Sequence, residues 1–267
     1  MPLDVDITAN EFAEYQRLIY KVAGINMSEA KQALVQGRLA KRLKHHGLTS
    51  YKAYYDLLLS RQDELQVAVD LLTTNETYFF REPKHFDYLR QQVLPSHKSG
   101  RPFRVWSAAS SSGEEPYTLG MVLADHFGFA PWEVLGSDLS TRVLAKAQAG
   151  LYAMERTRDI PENYLKAYCL KGVGAQEGTF LIDPKVRQHM RFAQINLIEP
   201  LPEIGEFDVI FLRNVMIYFD NETKKTVIAR LLARLRPGGW LFVGHSESLH
   251  GLVTNLSSVA PSVYIKR

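Results

Sequence analysis

The 267-residue sequence contains one cysteine, Cys169. A single thiol cannot close an internal disulfide, and with eight scattered histidines it offers no zinc-binding spacing, so no metal is expected. The same scarcity points to a reducing, cytoplasmic setting. Net charge is also small. Thirty-two Lys and Arg against 29 Asp and Glu leave +3, so affinity for an anionic partner must come from local clustering. No apolar run nears the ~20 residues that span a bilayer. The opening "MPLDVDITANEF" is acidic and has no apolar core segment, so no signal peptide is expected. Internal repeats and low-complexity tracts are absent. Glycine is missing from one telling place. "SAASSSGEEPY" (107–117) lies between a strand-like "FRVW" and a helix-like "YTLGMVLADHF", where nucleotide-binding α/β proteins keep a phosphate loop. Such loops use several spaced glycines so that backbone amides can approach a pyrophosphate, and here Gly113 stands alone.

What is present begins with helices. In "ITANEFAEYQRLIYKVAGI", Phe12, Tyr15, Leu18, Ile19 and Val22 recur at near-helical spacing, with Asn10 as the expected cap and Gly24 as the end. "SEAKQALVQGRLAKRLKHHG" follows, with Ser28 as cap and Gly47 as stop. "SYKAYYDLLLS" and "QDELQVAVDLLTT" complete a small helical unit. "NETYFFREPKHF" (75–86) breaks the rhythm, and Pro83 is expected to open the next helix. From there strands alternate with helices. Strands are expected at 103–108, 133–138, 191–196, 207–214 and 239–245, and helices at 115–127, 140–149 and 221–235. That alternation predicts a mostly parallel sheet covered on both faces. A last run, "SVYIKR", is expected to close the sheet edge. Between 160 and 190, two short strands around a Gly-rich turn predict a small antiparallel insertion.

The loop after the first strand puts Glu114 and Glu115 where a phosphate would sit. Two carboxylates repel a pyrophosphate and suit an ammonium or sulfonium ligand. S-adenosylmethionine carries both charges and no phosphate. Asp138, at the end of the second strand, is placed to accept hydrogen bonds from both ribose hydroxyls. "LRPGGWLFVGH" adds a helix end, a tight turn and a late strand, an arrangement common in methyltransferase domains. Each signal also has a plain structural reading. The two glutamates are favoured in the first turn of a helix by its dipole. Asp138 can cap the helix at 140. "RPGG" can be a simple turn.

A longer set of motifs narrows the choice. "LTTNETYFFRE" (72–82), "WSAASSSGEEPYTLGM" (106–121), "SDLSTRVLAKAQAGLY" (137–152), "FDVIFLRNVMIYFD" (207–220) and "LRPGGWLFVGHSESL" (235–249) resemble, in order, the bacterial chemotaxis receptor (protein-glutamate) O-methyltransferases, the CheR family. One departure is "SSSGEEPY" where many members carry "CSTGEEPY"; Ser110 and Ser112 keep those positions small and polar. The resemblance implies a Rossmann-like S-adenosylmethionine-dependent methyltransferase domain, a small all-helical N-terminal domain and a short antiparallel β insertion. The expected division is 1–73 helical, 74–86 a linker contributing to the active site, and 87–267 the cofactor-binding α/β domain, with the insertion near 160–190. It implies methyl transfer from S-adenosylmethionine, leaving S-adenosylhomocysteine, to glutamate side chains of chemoreceptors. Arg81 and Tyr218 are the implied catalytic residues. Asn75, Thr77, Arg81, Glu115, Asp138, Asn196, Leu197, Asn214 and Val215 are the implied cofactor contacts.

A glutamate carboxylate is already ionised near neutral pH, so the reaction needs no general base. Alignment of oxygen, methyl carbon and sulfur is the main task. Surface salt bridging for Arg81 and core packing for Tyr218 are the structural alternatives, and for each Asn a turn that satisfies its own backbone. His245 follows a strand and could line the site, yet no catalytic histidine is assigned. On the second helix, Val35, Leu39 and Leu43 form the buried stripe. Arg38, Lys41, Arg42 and Lys44 are expected to dock the acidic cytoplasmic domain of a chemoreceptor, a solvated face being the plain alternative. Gly172, Gly174 and Gly178 could leave a backbone edge open to a receptor C-terminal tail, adding it as a strand. A monomer is expected, with no nucleic-acid partner and no membrane insertion. Two rivals remain: a methyltransferase of another substrate, and a non-catalytic module that binds S-adenosylmethionine and reports it to a partner.

Overall fold

The computed structural model describes residues 5–97, 100–128, 130–252 and 254–267. Its contacts divide into two compact units. One comprises Met1–Thr74 with Tyr218–Thr223, the other Asn75–Ile217 with Lys224–Arg267.

The first unit is built on α1 (Ala9–Ala23), α2 (Gln32–His45), α3 (Tyr51–Ser60) and α4 (Gln62–Leu72). Thr8, not Asn10, caps α1. Thr8 Oγ1 accepts the Glu11 amide at 3.3 Å, and the Glu11 carboxylate accepts the Thr8 amide at 2.9 Å. This reciprocal pair satisfies two orphan donors, whereas Asn10 has Ala13, not an acid, three residues on. Gly24 ends α1 in a left-handed conformation, φ 70°. Ser28 precedes a short 3-10 turn, Glu29–Lys31, without a side-chain cap bond, and α2 starts at Gln32. Val35, Leu39 and Leu43 are fully buried along α2.

The second unit places α5 (Lys84–Tyr88) before the sheet. Then come β1 (Phe103–Ala108), α6 (Glu114–Phe127), β2 (Trp132–Asp138), α7 (Thr141–Ala149) and β3 (Leu151–Ala153). They are followed by α8 (Glu162–Tyr168), β4 (Cys169–Lys171), β5 (Thr179–Ile182), α9 (Pro184–Arg187), β6 (Met190–Gln194) and β7 (Phe207–Leu212). After α10 (Asn221–Arg234), which begins in the residues of the first unit, come β8 (Leu235–Val243), β9 (Leu256–Ala260) and β10 (Val263–Lys266). The seven-stranded sheet has the order β6-β2-β1-β7-β8-β10-β9. The five strands from β6 to β8 are parallel and the last two antiparallel. The run "SVYIKR" does join this sheet as β10, but β9 forms the edge. Every residue of β7 is buried, as expected of a central strand covered on both faces.

A separate three-stranded antiparallel sheet has the order β3-β5-β4, so the insertion recruits β3 from before residue 160. Its turn needs Gly172 for space. A Cβ there would lie 2.0 Å from the Gln176 carbonyl oxygen.

Ala108 lies beside Ser137, and Asp138 beside Gln194, so the loops leaving β1, β2 and β6 emerge at one level. The chain order reverses at β1, with β2 and β6 on one side and β7 on the other. Ligands of open α/β sheets bind at such a point, beyond the carboxyl ends of the strands. Residues 75–86 are fastened there by aromatic packing. Phe86 stacks on Phe211, with planes 10° apart, and Phe211 on Phe242, 5° apart.

Candidate functional site

Four of the five backbone amides from Ala109 to Gly113 turn inward. Ala109 and Ser110 both donate to the Ser137 carbonyl, at 2.9 and 2.7 Å. Ser111 N donates to Asp138 Oδ2 at 2.8 Å, and Gly113 N to the Ser110 carbonyl at 3.1 Å. A phosphate loop does the opposite and points its amides at the ligand. The lone glycine also has a different purpose. Gly113 has φ 98°, and a Cβ there would lie 2.8 Å from both Ala147 Cβ and Tyr152 Oη. It lets α7 and β3 close on the loop.

The two glutamates that follow diverge. Glu114 is 1% exposed and is held by Ser112 Oγ at 2.7 Å and Arg156 Nη1 at 3.6 Å. It is a buried acid in the first turn of α6, and burial pushes its carboxyl above the usual range. Glu115 accepts Ser107 Oγ at 2.7 Å and pairs with Arg213 Nη1 at 2.9 Å. Burial raises Glu115, and Arg213 and Ser107 only partly offset that rise.

Arg213 is the residue that sequence reasoning missed. It follows β7 directly, and its side chain is 1% exposed. One edge of the guanidinium meets Glu115; the other meets Glu82 Oε2 at 3.0 Å and donates to the Arg81 carbonyl. Glu82 also accepts Asn214 Nδ2 at 3.3 Å and the His245 amide at 3.2 Å. Burial works against the Glu82 charge, but Arg213 and these bonds hold its carboxyl below the ordinary value. A cation directly after the run "FDVIFL" was the available signal, since a buried guanidinium requires carboxylate partners.

Asp138 is 9% exposed and joins two loops, accepting Ser111 N on Oδ2 and Ser140 N at 2.9 Å on Oδ1. Ser140, not Asp138, caps α7. Asn75 enters the same group because its carbonyl accepts Ser111 Oγ at 2.9 Å. Asn196 and Leu197 follow β6 just beyond Ile195, whose amide donates to the Asp138 carbonyl at 3.1 Å. Asn196 Oδ1 accepts the Ile198 amide at 3.3 Å, a turn closed on its own backbone. Asn214 takes a left-handed φ of 58° and is held by the buried Glu247, which accepts its amide at 2.8 Å and that of Gly244 at 2.7 Å. Val215 follows it, partly buried. The Thr77 carbonyl accepts Arg156 Nη1 at 2.8 Å. Arg81 Nη1 donates to the Glu76 carbonyl at 2.9 Å, and its guanidinium lies 5.6 Å from the Tyr78 ring centre.

Five of the six described non-glycine residues with positive φ lie in these loops: Phe80, Glu82, Ala109, Ser111 and Asn214. Such conformations cost about 1–3 kcal/mol each and collect where geometry serves function.

The α/β unit thus gathers Asn75, Glu115, Asp138, Asn196, Leu197, Asn214 and Val215 around the loops that leave its parallel strands, while Thr77 and Arg81 meet Arg156 and Arg213 through their backbone carbonyls. Carboxylates outnumber cations there and four of the five loop amides are bonded internally, a donor set that fits a cationic ligand lacking phosphates. Tyr218 belongs to the helical unit, where its carbonyl accepts the Asn26 amide at 2.8 Å. The four expected docking residues lie in that unit too, and two of them are occupied. Arg38 Nη1 donates to the carbonyls of Leu71, Leu72 and Thr73 at 3.0–3.2 Å, closing the end of α4. Arg42 makes a two-pronged pair with Glu64, at 2.8 and 2.6 Å. Lys41 and Lys44 are exposed.

Comparison with known proteins covers both units. Residues 75–265 match the family model described as CheR methyltransferase, SAM binding domain, and residues 10–73 match CheR methyltransferase, all-alpha domain. The chemotaxis protein methyltransferase of Escherichia coli is 41% identical over 95% of this chain and 89% of its own length. That of Salmonella typhimurium is 39% identical over 95% and 88%. Chemotaxis protein methyltransferase 2 of Pseudomonas aeruginosa is 39% identical over 96% and 93%.

Proposed function

The chain belongs to the CheR methyltransferase family, and from that premise we propose that it methylates glutamate side chains on the cytoplasmic domain of chemoreceptors, with S-adenosylmethionine as donor. S-adenosylmethionine supplies a methyl group activated on a sulfonium sulfur. The observation that carries this reading is the site at the strand ends, rich in carboxylates and with four of its five loop amides turned inward. Asp138 is assigned to the ribose, Glu115 to the amino acid portion, and Asn75, Thr77, Asn196, Leu197, Asn214 and Val215 to the remaining cofactor contacts.

The acceptor carboxylate is ionised at neutral pH and needs no base. Arg81, with five N–H donors of which one goes to Glu76, holds that carboxylate and also touches the cofactor. Tyr218 supplies a hydroxyl. The shared grip of Arg213 on Glu82, Glu115 and the Arg81 carbonyl fixes the segment that carries Arg81, and fixed alignment is what a direct displacement requires.

Lys41 and Lys44 carry the docking role, with Arg38 and Arg42 shaping the helix that presents them. A receptor C-terminal tail is proposed to add to the small sheet. Leu170 in the edge strand β4 and Val173 just beyond it are 46% and 80% exposed, which supports that reading. The protein is proposed to act in the cytoplasm as a monomer.

The test combines calorimetry with S-adenosylhomocysteine and transfer of labelled methyl to a receptor cytoplasmic fragment. Alkali-labile label on receptor glutamates is the expected result. Glu115→Gln and Asp138→Ala are expected to weaken cofactor binding, while Arg81→Ala and Tyr218→Phe mainly lower turnover. No heat from the folded protein, or full turnover in Arg81→Ala, would overturn the assignment.

A further inference from the structure

The sequence scatters its histidines, but the fold sets two of them against Glu82. His85 on α5 and His245 just past β8 meet edge to face, with ring centres 4.7 Å apart. His85 Nδ1 lies 3.4 Å from Glu82 Oε2, and His245 Nε2 lies 3.9 Å from the same oxygen. One ligand atom from each of the three residues falls within 4.8 Å of the others. His85 is 2% exposed, and neither of its ring nitrogens has a hydrogen-bond partner. Leaving a buried polar group unsatisfied is destabilising. Glu82 faces His85 Nδ1 without making a hydrogen bond to it, which leaves the buried imidazole short of a close partner.

We propose that Glu82, His85 and His245 form a binding site for a divalent transition metal of the zinc type, with a further coordination position open to solvent beside His245. Imidazole and carboxylate are the ligands such metals take, at ~2.0–2.2 Å. Tetrahedral ligands at that distance stand roughly 3.3 Å from one another. The Glu82–His85 pair already has that separation. His245, with a side chain 47% exposed, closes the remainder by a small rotation.

A neutral imidazole carries one lone-pair nitrogen that can face a metal. Arg213 Nη2 lies 3.0 Å from the same Glu82 Oε2, so a bound metal shares that carboxylate with the guanidinium. Ligating carboxylates normally carry outer hydrogen bonds, and Glu82 has them from Arg213, Asn214 and the His245 amide. Arg213 is moreover shared with Glu115, and Glu247 nearby is held by backbone amides.

The test is a titration of the metal-free, full-length protein with Co²⁺, read as ligand-field absorption, followed by displacement with Zn²⁺. One equivalent bound with the strong bands of a four- or five-coordinate site is the expected result. His245→Ala removes a half-exposed ligand and leaves the core intact, and it is expected to weaken binding at least tenfold. Glu82→Gln should do the same, with folding checked by circular dichroism. His45→Ala serves as the control and should leave binding unchanged. Absence of cobalt bands, as when a buried water satisfies His85, would overturn the proposal, and so would affinity unchanged in His245→Ala. The readout is independent of methyl transfer, so it fails or succeeds apart from the proposed activity.

Discussion

Replacing Glu64 by Gln tests whether the cations of α2 are committed to the fold. The Glu64 side chain is 4% exposed. Its oxygens take Arg42 Nε at 2.8 Å and Nη2 at 2.6 Å, Tyr54 Oη at 2.6 Å, and His46 Nε2 at 3.0 Å. Burial alone would raise its pKa; the hydrogen bonds from Arg42, Tyr54 and His46 reverse that and bring it from 4.5 to about 2. At ~1.4 kcal/mol per pH unit of difference, the ionised form stabilises the native state by roughly 3 kcal/mol. Because the folded value is the lower one, this contribution is complete above the unfolded value and fades as pH falls toward the folded one. Between pH ~7 and pH ~3.5 about 1.4 kcal/mol of it is lost. Glu64→Gln lacks the titration altogether. Hydrogen exchange of the α4 amides, corrected for intrinsic rate, should show wild type more protected at neutral pH, with the gap closing by about 1.4 kcal/mol at pH ~3.5. A gap that stays constant with pH would refute the reasoning.

Three further outcomes are expected. Arg213→Met leaves two carboxylates without their buried cation and should destabilise the protein by about 3–5 kcal/mol in urea unfolding, with Arg213→Lys intermediate. Gly113→Ala forces a Cβ against Ala147 and Tyr152 at a positive φ, and should cost about 2 kcal/mol in thermal unfolding. Reversing Lys41 and Lys44 to Glu should raise the apparent KM for receptor, less so at high salt, with S-adenosylhomocysteine affinity unchanged. Equal loss of cofactor binding in that variant would count against docking.

β1, β2 and β7 were legible because each is a short apolar run bounded by turn residues, and their observed limits fall within two residues of those expected, whereas β8 begins at Leu235, four residues early, and takes in the Pro-Gly-Gly expected to be a turn. β9 was not, since "LSSVA" lies at an edge with half-exposed serines and carries little apolar signal. The cap on α1 was misplaced because Asn10 suits a cap in isolation, while the Thr8–Glu11 pair is decided by two residues together. At the site, the loop's acids drew attention, but their separate fates depend on distant partners. Glu114 turns to Arg156, and Glu115 to Arg213, 98 positions away. Arg38 and Arg42 read as a solvent-facing stripe because their acceptors lie on α4, beyond the reach of helical periodicity. His85 and His245 are 160 positions apart in the sequence and meet only through the sheet.

The stretch Tyr218–Thr223 returns to the helical unit deep in the second half of the sequence, where Asn26 N reaches the Tyr218 carbonyl and Tyr20 Oη reaches Asp220 at 2.6 Å. A gene fragment ending after α4 would lack that stretch and leave those groups of α1 and its following loop unanswered. Exchange of the helical module between homologues by a single crossover would therefore yield a chimera mismatched at this borrowed strip. The two modules are expected to evolve as one inheritance unit, with a substitution at Tyr20 or Asn26 answered near Tyr218 or Asp220.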